Sequence, residues 1–298
     1  MQRRFVTIDV FTTVKGTGNP LAVVLDAEGL SDAQMQLIAR EFNLSETTFV
    51  LPARQPGQTA FVRIFTPGRE LPFAGHPMIG TALVLANLEG QPRSAAKHTL
   101  TIEVPLGVVP IEIGEGPGGE VVATCVAPKL PVVSAASPSA EQIAAALSIT
   151  SAELAADVPI ETWGAGYAVT FVALGSKQAV SRSKVNLAQW PQADPIARPV
   201  SIFPYAVTGE RHIYARMFAP TLGIPEDPAT GGAVVAMAGH LHAHGGVGDG
   251  SHRFAIEQGV DMGRPSRIDL LIDVEQGVLT RVRIAGAGAE FMRGVLAL

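Results

Sequence analysis

Phe65-Thr66-Pro67 leads into Pro72-Phe73-Ala74-Gly75-His76-Pro77-Met78-Ile79-Gly80-Thr81-Ala82, and the chain continues as Leu83-Val84-Leu85-Ala86. Much later, Phe218-Ala219-Pro220 leads into Pro225-Glu226-Asp227-Pro228-Ala229-Thr230-Gly231-Gly232-Ala233, followed by Val234-Val235-Ala236-Met237-Ala238. The Phe and both prolines keep the same mutual spacing in the two copies. Only the stretch from the second proline to the Gly-x-Ala differs in length. A turn that opens an apolar helix, met twice at shared spacing, reads as a duplication and predicts a protein of two halves. Prolines and glycines ahead of a helix leave its first backbone N–H groups without intrahelical partners, so each start suits an anion. Two such starts facing one cleft would hold a small carboxylate.

Composition narrows the class. A chain of 298 residues divides by length alone into about two domains. Charged residues make up 16% and hydrophobic ones 47%, which describes a well-packed globular protein. With a net charge of −5 and no basic stripe, phosphates find nothing to neutralise them, and a nucleic-acid partner is not expected. No apolar run is long enough to span a bilayer, so no membrane partner is expected either. Met1-Gln2-Arg3-Arg4 is followed by an alternating stretch that reads as a strand and not as a signal peptide. The single cysteine, Cys125, has no internal partner for a disulfide. These features predict a cytoplasmic protein.

Periodicity gives the elements. Residues 5–11 and 21–25 read as strands around the Gly16-Thr17-Gly18-Asn19-Pro20 turn. Ser31 with Gln34 forms a capping box ahead of a helix whose apolar face is Met35, Leu37, Ile38 and Phe42, ending near Asn43. Residues 45–52 and 61–65 are strands, and 99–104 with 108–113 form a hairpin closing the first half. In the second half, 121–126 is a strand, 140–147 a helix after Ser137-Pro138-Ser139, and 169–174, 200–207 and 212–218 are strands. Strands at 253–258, 267–272 and 279–284 follow the second turn-to-helix unit. Residues 78–88 have almost no polar face and predict a helix buried on all sides. The pattern is α+β, each half a small sheet wrapped around its own apolar helix.

Three side chains stand out for chemistry. Glu46 lies at a helix-to-strand junction, His76 precedes the helix-start proline, and Asp227 occupies the matching place in the second half. Converging on one cleft, they would supply acid/base groups able to move a proton. Each has a plainer role as well: Glu46 as a cap or surface residue, Asp227 as a turn-former, His76 as a structural hydrogen-bonding group. Competing motifs fall away. Gly75 to Gly80 has the glycine spacing of a phosphate loop but Thr81-Ala82 where Lys and Ser/Thr are needed. Gly164-Ala165-Gly166-Tyr167-Ala168-Val169 lacks the third glycine of a dinucleotide fingerprint. His240, His242 and His244 lack a flanking Cys or carboxylate constellation and read as a solvated helix end, so no metal is expected.

Gly18-Asn19-Pro20-Leu21-Ala22-Val23-Val24, Ala39-Arg40-Glu41-Phe42-Asn43-Leu44-Ser45-Glu46-Thr47, Phe73-Ala74-Gly75-His76-Pro77 and Glu226-Asp227-Pro228-Ala229-Thr230-Gly231 together resemble the PhzF-like phenazine-biosynthesis isomerase family. The similarity continues through Gln258-Gly259 and Met262-Gly263-Arg264-Pro265-Ser266. It implies a diaminopimelate-epimerase-like fold of two pseudo-symmetric domains, each a curled, mostly antiparallel sheet or barrel around a central helix, with the active site between them. Residues 1–118 would form the first domain, joined by a return strand at 285–298, and residues 119–284 the second. The resemblance also implies a homodimer and no cofactor or metal.

By the same resemblance, Glu46 is the general acid/base that moves a proton between carbons, as the family does on trans-2,3-dihydro-3-hydroxyanthranilate. His76 and Asp227 bind and polarise the substrate, alongside Asn19. The backbone N–H groups of Gly75, His76 and Pro77 and of Gly231, Gly232 and Ala233, next to Thr230, face a carboxylate. Related racemases of this fold use two thiols, which a chain with Cys125 alone does not have. The family usually has Ser where this chain has Gly232, a lost hydroxyl worth about 0.5–1.5 kcal/mol as a neutral hydrogen bond. The expected function is a cofactor-independent isomerase acting on a small carboxylated amine or cyclic compound. The alternatives are a small-molecule binding protein that keeps the cleft without catalysis, and a second half that serves mainly as a dimer face.

Overall fold

The alternating run at the start of the chain builds β1 (Gln2–Val10), and a glycine turn brings it back as β2 (Asn19–Val24), antiparallel to it. Gly18 holds a positive φ of 67°, and a Cβ there would lie 2.4 Å from the Val10 carbonyl oxygen, so the turn closes only with glycine. The computed structural model describes residues 2–88, 98–134, 137–166, 168–191, 201–244 and 246–297. Tyr167, Val200 and Leu298 of the sequence expectations lie outside them. The chain divides into two units, Met1–Val126 with Ala285–Leu298, and Ala127–Ile284.

In the first unit, α1 (Asp32–Phe42) starts at Ser31 with both hydrogen bonds of the capping box to Gln34 and stops at Asn43, which adopts the left-handed conformation. Its Met35, Ile38 and Ala39 pack on Phe49 and Phe65. Those phenylalanines come from β3 (Glu46–Leu51) and β4 (Ala60–Phe65). After the short β5 (Glu70–Leu71) comes α2 (Gly75–Leu88), then β6 (His98–Val104), β7 (Gly107–Glu115) and β8 (Val121–Val126). The strand order β1-β2-β3-β4-β6-β7-β8 is completed by the C-terminal strand, whose Gly288 to Ala297 part runs antiparallel to β1 and closes the ring. β2–β3 and β4–β6 are parallel; the other registered pairs in the unit are antiparallel. The eight strands enclose α2, which touches β1, β2, β3, β6, β7 and β8. Residues 75–84 of this helix are all buried, as its lack of a polar face requires.

In the second unit, β9 (Val132–Val133), α3 (Ala140–Leu147), β10 (Glu161–Gly164), β11 (Ala168–Ala173), α4 (Lys177–Arg182), β12 (Ile202–Gly209) and β13 (His212–Ala215) precede α5 (Gly231–Ala243). β14 (Gly250–Gln258), β15 (Ser266–Glu275) and β16 (Val278–Ala297) complete the chain. Strands follow the order β16-β15-β14-β13-β12-β11-β10-β9, with parallel pairs at β11–β12 and β13–β14. One face holds α5, which touches β9, β10, β11 and β15. Another layer is built by α3 and α4, with Ile143, Leu147 and Val180 packed against Val172, Ile202 and Phe218.

Three expectations need correction. Residues 121–126 form a strand but pair with β7, which places them in the first unit. The strand expected at 279–284 and the return strand expected at 285–298 are one continuous strand to Ala297, whose Gly286 and Gly288 serve not as turns but as places where a Cβ would meet Phe11 and, at 2.7 Å, Ile8. The Gly-x-Ala that aligned the two copies is not equivalent in space. Gly231 is the first residue of α5, whereas Gly80 is inside α2, which already begins at Gly75. A Cβ on Gly80 would lie 2.6 Å from Leu21 Cδ2 and 2.7 Å from Val10 Cγ2, so this glycine lets the helix sit against β1 and β2.

Candidate active site

Asn43 in the left-handed conformation ends α1 and turns the chain into β3, so that Glu46 becomes the first residue of that strand, beside Leu21 of β2. His76 is the second residue of α2. What brings them together is packing between the two elements. The hydroxyls of Thr48, two residues along β3, and Thr81, in the second turn of α2, are both buried and hydrogen-bonded at 2.9 Å. His76 Nδ1 consequently lies 3.4 Å from Glu46 Oε2, with the side chains 7% and 15% exposed. Burial pushes the imidazole pKa down to about 3, so the ring is neutral at physiological pH and the contact is not an ion pair. His76 Nε2 is buried without a hydrogen-bond partner among the described residues.

The start of α2 carries no acidic residue, and Gly75, His76 and Pro77 are buried there. Pro77 has no N–H, which corrects the expected set of donors: in this first turn they are the amides of Gly75 and His76, while Met78 N–H donates to the Ala74 carbonyl. Asn19 opens β2 and is fully buried, opposite Val10. Cys125 is buried in β8 and its thiol is pushed up to about 12 by burial, far from a reactive thiolate.

In the second unit, Asp227 and Thr230 stand on the turn ahead of α5. Thr230 is the N-cap residue by position, yet its hydroxyl makes no cap bond; it donates to Asp227 Oδ2 in a short hydrogen bond. The amides of Gly231, Gly232 and Ala233 follow, again with no acidic residue in the first turn. Gln258, part of the stretch that carries the family resemblance, has no role legible in the sequence. Its fully buried side chain ties the turn together: Nε2 donates to the Asp227 carbonyl at 2.7 Å and to Thr230 Oγ1 at 3.1 Å, and Oε1 accepts from Thr230 N–H at 3.2 Å. The neighbouring Gly259, at φ 75°, leaves room that a Cβ would take from Pro228, 2.6 Å from its carbonyl oxygen. A glutamine followed by glycine was the available signal.

Glu226 and Asp227 are adjacent acids with different surroundings. Glu226 accepts from the Nε and Nη2 edge of the Arg216 guanidinium, both at 2.8 Å, and Arg216 Nη1 donates to the carbonyls of Ser181 and Ser183. That fork fixes β13 to the turn and gives Glu226 a structural task.

The histidines departed from expectation. His240 is 1% exposed, not solvated, and Glu161, distant in sequence, supplies the carboxylate that the local spacing lacked. β10, which the sequence did not reveal as a strand, carries it there.

Two α+β units, each with an apolar helix against a curled sheet, are the architecture of diaminopimelate-epimerase-like isomerases. The family model described as phenazine biosynthesis-like protein matches residues 8–294. The chain is 39% identical to trans-2,3-dihydro-3-hydroxyanthranilate isomerase of Pseudomonas fluorescens, over 99% of each chain. It is 37% identical to an uncharacterised isomerase of Mesorhizobium japonicum, over 99% of this chain and 98% of that one. A solved structure of a PhzF-family phenazine biosynthesis protein from Bacillus anthracis superposes with a TM-score of 0.88 at 28% identity, covering 100% of both chains. The chain belongs to the phenazine biosynthesis-like family and is a PhzF-like isomerase.

Proposed function

We propose that this isomerase moves a proton between two carbons of a small cyclic carboxylate bearing an amino or hydroxyl group, with Glu46 as the group that takes and returns it. The observation that carries the reading is the contact between the mostly buried Glu46 carboxylate and a neutral His76 at the start of α2. In the forward step the carboxylate removes a carbon-bound proton, the C–H electron pair passes into the conjugated system, and the resulting carboxylic acid returns the proton to another carbon. One carboxyl serves as base and then acid, so the reading calls for no cofactor. His76 and the amides of Gly75 and His76 suit a carboxylate or polarised oxygen, since a neutral imidazole donates or accepts without charge. Asp227, held by Thr230, suits an amino or hydroxyl group, and the amides from Gly231 onward suit a second anionic oxygen. Asn19 adds a side-chain amide. The Pseudomonas fluorescens relative makes trans-2,3-dihydro-3-hydroxyanthranilate the first substrate to try. A cytoplasmic homodimer that meets neither nucleic acid nor membrane belongs to the same reading, with dimerisation measurable by light scattering. No helix among the described residues is long and apolar enough to cross a membrane.

The test is exchange in deuterium oxide followed by NMR on that compound and a panel of small cyclic amino acids. Deuterium entering one carbon with the wild type and not with Glu46→Gln is the expected result. Exchange undiminished in Glu46→Gln would remove Glu46 from the mechanism. Calorimetric binding without exchange would favour a non-catalytic ligand-binding role, to which Gly232 in place of a hydroxyl gives some ground.

A further inference from the structure

At the end of α5 remote from Gly231, three side chains converge that proton transfer does not use. Glu161 of β10, and His240 and His244 near the C-terminal end of α5, place their ligand atoms within 4.8 Å of one another. His244 Nε2 is 2.7 Å and His240 Nδ1 is 3.7 Å from Glu161 Oε2. The two histidines are four apart on a helix and so share a face. Glu161 is brought to them because α5 has a glycine at 239, where a Cβ would lie 2.6 Å from the Trp163 ring. Trp163 packs flush against the helix, and its Nε1–H donates to Glu161 Oε2 at 2.8 Å.

His240 is the decisive member. It is 1% exposed, and its Nδ1 has no hydrogen bond among the described residues. Its Nε2 lies 3.0 Å from the Tyr205 hydroxyl. If Nε2 carries the proton and donates to Tyr205, the Nδ1 lone pair faces a carboxylate with nothing between them. If Nδ1 carries it, 3.7 Å is too long for a hydrogen bond. Either tautomer leaves a defect, and a cation among the three groups removes it. The first tautomer is also the arrangement in which a ligating histidine is oriented through its other ring nitrogen.

We propose that Glu161, His240 and His244 bind one divalent transition-metal ion of the zinc class, which clamps the end of α5 to β10. Two imidazoles and one carboxylate form a donor set for late first-row divalent ions. Tetrahedral coordination at about 2.0–2.2 Å sets the donors about 3.3–3.5 Å apart, against 2.7 and 3.7 Å from Glu161 Oε2 to the two imidazoles and 4.8 Å as the bound on every pair, so side-chain shifts of about 1–1.5 Å complete it. The side chains of His244 and Glu161 are 23% and 27% exposed, leaving water for a fourth position. The helix dipole adds to the attraction, because the C-terminal end of α5 is its negative pole. At a rise of about 1.5 Å per residue, Gly231 and His240 are roughly 13 Å apart along the axis, which makes the role structural.

The experiment uses the whole chain, stripped with a chelator and titrated with zinc against a chromogenic competitor, then with cobalt for its visible spectrum. One equivalent of zinc per chain, a raised Tm, and a cobalt band of tetrahedral intensity are expected. His244→Ala and Glu161→Gln, both at partly exposed positions, should each weaken zinc at least about 10-fold with unchanged circular dichroism, and Tyr205→Phe should weaken it about 10-fold through the ring it orients. Absence of stoichiometric binding by the wild type, or binding unaltered in both His244→Ala and Glu161→Gln, would overturn the proposal.

Discussion

The two central helices are approached by sequences of shared spacing, yet the carboxylates at their starts are held by different means. At α2 the acid, Glu46, comes from another element and meets His76 through the packing of β3 on the helix, fixed by the Thr48–Thr81 bond. At α5 the acid, Asp227, comes from the same turn and accepts a hydrogen bond from Thr230, while Gln258 grips the backbone around it. A carboxylate already accepting a short local hydrogen bond is a preorganised acceptor. In the proposed function, the one set against a neutral imidazole is the group that takes a proton and returns it. On the proposed reading, similar helix starts offer one group for chemistry and one for binding.

The largest effect that would test this difference is on rate. Glu46→Gln keeps the shape and abolishes proton exchange, so kcat should fall by about 10³-fold or more, in the range of positioned acid/base groups. Asp227→Asn removes charge but keeps an acceptor, and kcat/KM should fall by about 10–100-fold, mostly through KM, with carbon exchange still detectable by NMR. Equal losses in kcat for the two variants would break the distinction.

Acid should act next most strongly, and through both units. His76 and His240 are held neutral by burial, with pKa values near 3 and 4 against 6.5 in an unfolded chain. Below pH 6.5 the unfolded state takes up protons that the folded state refuses, so stability is undiminished above 6.5 and falls as pH drops toward 4. The slope is up to about 1.4 kcal/mol per pH unit for each ring. Urea unfolding of His76→Asn across that window should show a shallower slope than the wild type. An identical slope would mean that His76 is not the buried neutral group described.

How much of this was legible in the sequence depends on distance along the chain. The capping box of Ser31 with Gln34 works as written, because every atom involved lies within one helical turn, and the start at Ser139 proves to carry the same box with Gln142. The helix expected at 78–88 was evident from its missing polar face, though it begins earlier, at Gly75, and its last residues Asn87 and Leu88 are exposed. Glu46 and Asp227 could be singled out by their places at element junctions, but their partners could not. Thr48–Thr81 spans 33 residues and Gln258–Thr230 spans 28, and no local pattern encodes such pairs. β10 shows the same limit more sharply. A four-residue strand containing Glu-Thr-Trp-Gly has too short a period to read, so the carboxylate beside His240 and His244 stayed hidden and the histidines looked solvated. The repeat correctly marked a turn ahead of a helix in each unit but misled in its glycines, since Gly80 and Gly231 sit at different depths of their helices.

Those helical glycines give the smallest and most discriminating test. Each central helix spends helix propensity on a glycine whose missing Cβ admits a neighbour: Gly80 admits Leu21 and Val10 of the barrel wall, and Gly239 admits the Trp163 ring with Pro131 at 3.0 Å. Replacing glycine by alanine inside a helix returns about 1 kcal/mol of propensity. Against that stands overpacking, commonly about 1–3 kcal/mol. The atoms met at Gly80 are methyl ends of aliphatic side chains, and the Leu21 terminus can turn away. An indole ring has no such freedom, and Trp163 is further held by its bond to Glu161. Gly239→Ala should therefore lower the unfolding free energy by about 1–2 kcal/mol, whereas Gly80→Ala should change it by less than about 1 kcal/mol, as read from denaturant midpoints at constant m. Should Gly80→Ala prove the more damaging, the packing of the barrel around α2 would be the more rigid of the two, and the first unit's site would rest on a scaffold with less give than its side chains suggest.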